Sequence, residues 1–255
     1  MRRRTWAIAA AAAATLIMPA AAPAIVAGVD DGDAHPNVGF IILTDAIGLR
    51  ACSGTLISDS VVLTAGHCAF DATSAIVSFD AQPTPETPFI SGTPYAHPNF
   101  DIRNDHGYND VGVVVLDKPA SSVWPDIEPA PLGTEDVLGE VSAAGTLQKA
   151  TITIVGYGVW FIRGHNEAFA PVTRRRTTVT VGSLTGERIR FQANSRNHKD
   201  GGSACVHDSG GPAFLGDAVI GVTRGGSAGC TGHDDYQRTD TASARGFLDD
   251  FVTLP

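Results

Sequence analysis

Several things are scarce in these 255 residues, and each scarcity removes a class of function. No CxxC and no HExxH spacing occurs, so a structural or catalytic zinc has no support. The acidic clusters lack calcium-loop spacing, and neither a metal nor a cofactor is expected. Basic residues are few: 18 Lys and Arg face 27 Asp and Glu, for a formal net charge of −9. Phosphate backbones require a basic surface, so nucleic acid is excluded as a partner and the surplus acid reads as solubility. The one basic run, Arg174-Arg175-Arg176, reads as a solvated edge or turn.

Long apolar runs are also missing, with one exception. From Trp6 to Met18 the chain is apolar but for Thr15, which is shorter than the roughly 20 residues a membrane span needs. Arg2, Arg3 and Arg4 precede this run, prolines follow at 19 and 23, and Ala22-Pro23-Ala24 has the small-x-small form of a signal-peptidase site. The pattern predicts a removed signal peptide over 1–24, a secreted product and no stable membrane association. Cysteines number four, at 52, 68, 205 and 230. An even count in an oxidising compartment implies two disulfides, with three pairings open on sequence alone.

What is present is β-structure. VGFIIL (38–43), SGTLIS (53–58), VVLTA (61–65), VGVVVL (111–116), TITIVGYG (151–158), TTVTV (177–181), IRFQA (189–193) and AVIGVT (218–223) are short Val/Ile/Thr-rich segments between Gly, Pro, Asn and Asp turns. They predict an all-β sandwich or barrel. The Pro-rich stretch 117–133 reads as a connector between two β units. At the end, Ala244, Phe247, Leu248, Phe251 and Val252 share one helical face. AHPN occurs at 34–37 and 96–99 and, without wider similarity, reads as coincidence.

Three segments carry chemistry. LTAGHC (63–68) sets His67 directly after a strand, YNDVGVVVLD (108–117) puts Asp110 at the mouth of an apolar one, and DSGGP (208–212) holds Ser209 in a glycine turn. A serine hydroxyl needs a base to take its proton, and that base needs a carboxylate to fix its tautomer. Alone, each has a bland reading as structural histidine, turn aspartate or tight turn. Together, in this order, they resemble the trypsin-like (chymotrypsin-fold) serine endopeptidases, from Ile25 to the C-terminal helix.

The resemblance implies two antiparallel six-stranded Greek-key barrels with the active site in the cleft between them, plus a C-terminal α-helix. Residues 25–133 would form the N-terminal barrel with connector, 134–240 the second barrel and 241–255 the helical end. His67 would be general base, Asp110 its orienting partner and Ser209 the nucleophile acting on protein or peptide substrates, in a monomer. Bridges Cys52–Cys68 and Cys205–Cys230 follow from the same likeness. IVAG (25–28) resembles the family's mature start, so the Ile25 amine would pair with Asp208, and a cut after Ala24 would expose it without a separate activation step. Ser203, Thr223, Arg224, Gly225 and Asp234 would border the substrate pocket, with the Thr223 hydroxyl near Asp110. Ser203 falls where an aspartate would give the family's preference for Lys or Arg, which by itself argues against that selectivity. Asp234 either projects into the pocket, to attract a basic side chain or obstruct the site, or faces solvent with Asp235.

One departure raises a rival reading. His207 stands where the family has glycine, at the amide that forms the oxyanion hole with that of Ser209. A protease-like binding protein, impaired in catalysis, is the alternative; an esterase using the same triad is a third.

Overall fold

The computed structural model of the protein describes residues 25, 28–101, 103, 108–158, 172–192, 202–227, 230 and 232–255. The expected signal segment, together with Val26 and Ala27, lies outside them. Thirteen strands are described: β1 (Val29–Asp30), β2 (Val38–Asp45), β3 (Gly48–Ser58), β4 (Val61–Thr64), β5 (Ser74–Ser78), β6 (Ile90–Ala96), β7 (Gly112–Leu116), β8 (Ile152–Gly156), β9 (Arg175–Leu184), β10 (Arg188–Gln192), β11 (Pro212–Leu215), β12 (Ala218–Gly226) and β13 (His233–Arg238). Strands β2 to β7 close a barrel in the order β2-β3-β4-β7-β6-β5. Strands β8 to β13 close a second in the order β8-β9-β10-β13-β12-β11, with β1 added to β9. All these ladders are antiparallel. Both barrels follow one topology, in which the fourth strand returns beside the first, the Greek-key pattern.

The apolar runs are nearly continuous because most strands bury both faces. Along β4, Val62 points into the core of the first barrel while Val61 and Leu63 join a cluster shared by the two barrels. Along β7, Val114 and Val113 divide in the same way. On β8, Ile152 and Ile154 fill the second barrel and Val155 faces the shared cluster. Side chains alternate across a strand, so these three strands serve one barrel core and the interface in turn. The connector 117–133 spans both bodies: Ala130 N–H donates to Leu56 O, and Leu132 pairs with Val219 of β12.

A single helical turn, α1 (Gly66–Ala69), follows β4, and a helix over α2 (Val137–Ala143) was not signalled by the sequence. The terminal helix α3 (Ala242–Leu248) buries Ala244, Phe247 and Leu248 and is capped by the Thr241 hydroxyl, which accepts the Ala244 N–H. It ends before Phe251 and Val252, which still pack on the shared cluster. The two AHPN copies sit in unrelated places, one before β2 and one at the end of β6.

The triple arginine corrects the sequence reading. Arg174 is 1% exposed, and its guanidinium donates to Asp31 Oδ2 and to the carbonyls of Gly32, Val38 and Phe79, and to the Tyr157 hydroxyl. Arg176 donates to Asp31 Oδ1, and Arg175 to Gly28 O. Five fixed donors in a planar fork suit a buried junction of this kind. The run ties the segment before β2 to the start of β9.

Candidate active site

His67 lies on α1, held from both sides. Cys68 is bonded to Cys52 on β3, and Cys205 to Cys230. Gly66 lets the segment before β7 approach: a Cβ there would stand 3.1 Å from Val111 N and 3.2 Å from Asp110 Cα. Asp110 is thereby brought under His67. Its Oδ1 accepts the His67 backbone N–H at 2.8 Å, and its Oδ2 lies 2.9 Å from Nδ1. An ionised carboxylate only accepts, so Nδ1 carries the proton and Nε2 is left with a lone pair. Asp110 is 2% exposed, a burial tolerable because its oxygens are paired. Its N–H donates to Gln237 Oε1 at 3.2 Å, and Arg224 Nε stands 3.9 Å from Oδ2. Arg224 therefore sits beside the His67–Asp110 pair. The Thr223 hydroxyl, expected near Asp110, donates to Gly211 O.

The Ser209 loop is pinned to the first barrel. Ser53 N–H donates to Ser209 O at 2.8 Å, and Gly210, at φ +79°, packs so tightly on Thr64 and Ala65 that no Cβ would fit. Thr64 and Ala65 lead directly into α1, so the loop rests against the segment carrying His67. Among the described residues the Ser209 hydroxyl makes no hydrogen bond to His67. Such contacts often tighten only with substrate bound.

Asp208 is fully buried. Oδ2 accepts from Cys205 N–H at 2.8 Å and from the Ile25 nitrogen at 3.2 Å, and Oδ1 from Gly158 N–H at 2.8 Å. The glycines of VGYG make room: a Cβ on Gly156 would collide with Oδ1. Burial nevertheless pushes the Asp208 carboxyl up to about 6, against the three N–H donors and assisted by nearby Asp234. In the unprocessed chain the Ile25 nitrogen is an amide and brings no charge.

His207 has φ +73°, the left-handed region that glycine adopts freely and other residues with strain. Its Nδ1 lies 3.2 Å from Ala51 O, and its carbonyl accepts the Ser53 hydroxyl at 3.3 Å. The Val206 carbonyl turns toward Gly158, 3.0 Å from where a Cβ on that glycine would stand. The Asp208 carbonyl accepts Gly211 N–H. Across trans peptides, the His207 and Ser209 N–H groups point opposite to those carbonyls. Neither N–H donates to any described residue.

Ser203 and Asp234 come together. Asp234 is wholly buried and accepts from Ser203 Oγ at 2.7 Å and Ala204 N–H at 2.9 Å; burial pushes its carboxyl up to about 6. Asp235 is 8% exposed; burial opposes its ionisation, but the two-pronged contact with Arg190 holds it below the ordinary range. Neither acid faces solvent as the alternative reading had it. Gly225 pairs with Asp235 across β12 and β13. Among the described residues, no three His, Cys, Asp or Glu converge as a metal would require. No helix there is long and apolar enough to cross a membrane.

Sequence reasoning passed over Ser53, although it stands inside CSGTLI, because nothing local announces a contact 154 positions away. Gln237 was missed for the same reason.

Paired closed barrels of one topology, with a His–Asp pair and a serine loop meeting at their interface, define the chymotrypsin-type serine-protease fold. The solved structure of HL collagenase superposes with a TM-score of 0.70 at 20% identity, covering 89% of this chain and 99% of its own. Trypsin of Phaedon cochleariae is 27% identical over 69% of this chain and 68% of its own length. Trypsin of Saccharopolyspora erythraea is 26% identical over 80% and 88%. The Trypsin family match spans residues 31–243, and the chain belongs to that family.

Proposed function

We propose that the chain is a secreted serine endopeptidase. Signal cleavage removes residues 1–24, and residues 25–133 and 134–240 act as the two catalytic halves. The observation that carries this reading is the buried Asp110 carboxylate gripping both the ring and the backbone of His67, beside a serine loop clamped to the same barrel. His67 Nε2 takes the Ser209 proton as Oγ attacks the scissile carbonyl. The tetrahedral oxyanion accepts the otherwise unused His207 and Ser209 amides. His67 then protonates the leaving amine, and water repeats the sequence to release the acyl group.

A cut after Ala24 turns the Ile25 nitrogen into an ammonium at Asp208, completing the loop. Asp234, backed by Ser203, selects a basic substrate side chain. Thr223, Arg224 and Gly225 line the approach. The left-handed φ of His207 supports competence over impairment, since the amide keeps a glycine-like course.

Casein and chromogenic peptides, offered to wild type, Ser209→Ala and His207→Gly, test the reading. Hydrolysis abolished by Ser209→Ala is expected. Equal background rates in wild type and Ser209→Ala, with a large gain in His207→Gly, would favour the impaired binding protein.

A further inference from the structure

His207 is one of six described non-glycine residues with positive φ, and what holds it lies on the other barrel. We propose that Ser53 is a positioning residue for the His207 amide, a role that rests on the endopeptidase reading and deepens it. The Ser53 hydroxyl is fully buried and has one proton to give. Its lone pair takes the Tyr157 N–H at 2.9 Å, and its proton goes to the His207 carbonyl at 3.3 Å. Two residues earlier on β3, the Ala51 carbonyl accepts the His207 ring. A carbonyl cannot donate, so His207 Nδ1 carries the proton there.

The carbonyl and the ring leave His207 Cα in different directions, and each ends on β3. That fixes the Cα, carbonyl and side chain from which the His207 N–H projects, and leaves the amide only rotation about the N–Cα bond. The backbone N–H of Ser53 adds a third hold, on the Ser209 carbonyl, so the carbonyls on either side of Asp208 are both set by one residue. Glycine holds a left-handed φ without help. Histidine there needs the clamp, and Ser53 supplies the part of it that reaches the main chain.

The test introduces Ser53→Ala into wild type and into His207→Gly, with kcat, KM and melting temperature measured for all four proteins, and crystal structures of wild type and Ser53→Ala. In the wild-type background kcat should fall about tenfold with KM unchanged, short of the hundred- to thousandfold cost of deleting an oxyanion donor outright. In His207→Gly the loss of kcat should nearly vanish. The Ser53→Ala crystal should show the Val206–His207 peptide rotated.

A purely structural Ser53 would lower the melting temperature equally in both backgrounds and leave kcat uncoupled to His207, which overturns the proposal. An unchanged His207 backbone in the variant crystal overturns it too, whatever the rates. If wild type hydrolyses nothing while the variant loop rotates, the endopeptidase reading falls and the hold of Ser53 on the peptide stands. If wild type hydrolyses and Ser53→Ala matches it, the reverse follows.

Discussion

Among the described residues, Asp234 is a carboxyl with two donors, shut from solvent. Asp208 and Asp235 lie near enough to matter electrostatically, and His233 acts in the opposite sense. Because burial raises its carboxyl to about 6, the group is neutral in mildly acidic solution and a carboxylate at neutral pH. On the proposed reading, an arginine or lysine side chain entering from substrate would meet a charged partner only in the second state. The ratio of kcat/KM for arginyl over leucyl chromogenic substrates should therefore rise between pH 5 and 7.5. Dividing the two rates cancels the ionisation of His67, which both substrates share. In Asp234→Asn the ratio should be flat with pH. A ratio that rises equally in the variant would remove Asp234 from specificity.

Elements were legible where chemistry repeats at short range. The eight strand segments follow from Val/Ile/Thr runs between turn residues, and each corresponds to an observed strand. His67, Asp110 and Ser209 stood out because each sits in a distinctive local string. β13 did not, since HDDYQR breaks every apolar pattern: its acids and arginine are buried among ion pairs and hydrogen bonds from Arg190 of β10, from Ser203 and Ala204, and from Asp240 just past the strand. β9 misled in the same way. A run of three arginines looks solvated until barrel closure brings Asp31 and four further acceptors around the first. Arg174→Ala would strip Asp31 of one partner, with His35 and Arg176 still paired to it, and leave the carbonyls of Gly32, Val38 and Phe79 without the guanidinium. Truncating one partner of a buried pair costs up to about 3–5 kcal/mol. Urea unfolding should report a loss of that order, and Arg174→Lys should recover little, because an ammonium cannot span the same acceptors. A variant as stable as wild type would show that this junction does not tie the element down.

For the whole molecule, burial of carboxyls sets how stability follows pH. Asp208 and Asp234 have folded values near 6, above the ordinary 3.8, so between about pH 4 and 6 the folded chain binds more protons than the unfolded one. Stability from this source falls as pH rises through that window, by at most roughly 3 kcal/mol per group at 1.36 kcal/mol per unit. Asp31 and Asp235, held below 3.8, work the other way, and their contribution disappears as pH falls below that value. Freeing the Ile25 amine places an ammonium on Asp208 and lowers its carboxyl, so a chain beginning at Ile25 should lose less stability from pH 4.5 to 6.5 than the full chain. Urea midpoints for both, in a Ser209→Ala background to prevent self-cleavage, measure the difference. The Asp234 contribution is common to the two and cancels. Equal slopes would mean that Ile25 does not pair with Asp208 as an ammonium.

The claim on which everything else depends is that His67 and Asp110 make Ser209 a nucleophile. A fluorophosphonate probe reacts with an activated serine and not with an ordinary hydroxyl, and it reads that chemistry without knowledge of the substrate. Mass spectrometry of the labelled, folded protein should find one adduct, on the peptide containing Ser209, and none in His67→Ala. An unlabelled Ser209 in folded wild type, or equal labelling with and without His67, would contradict it.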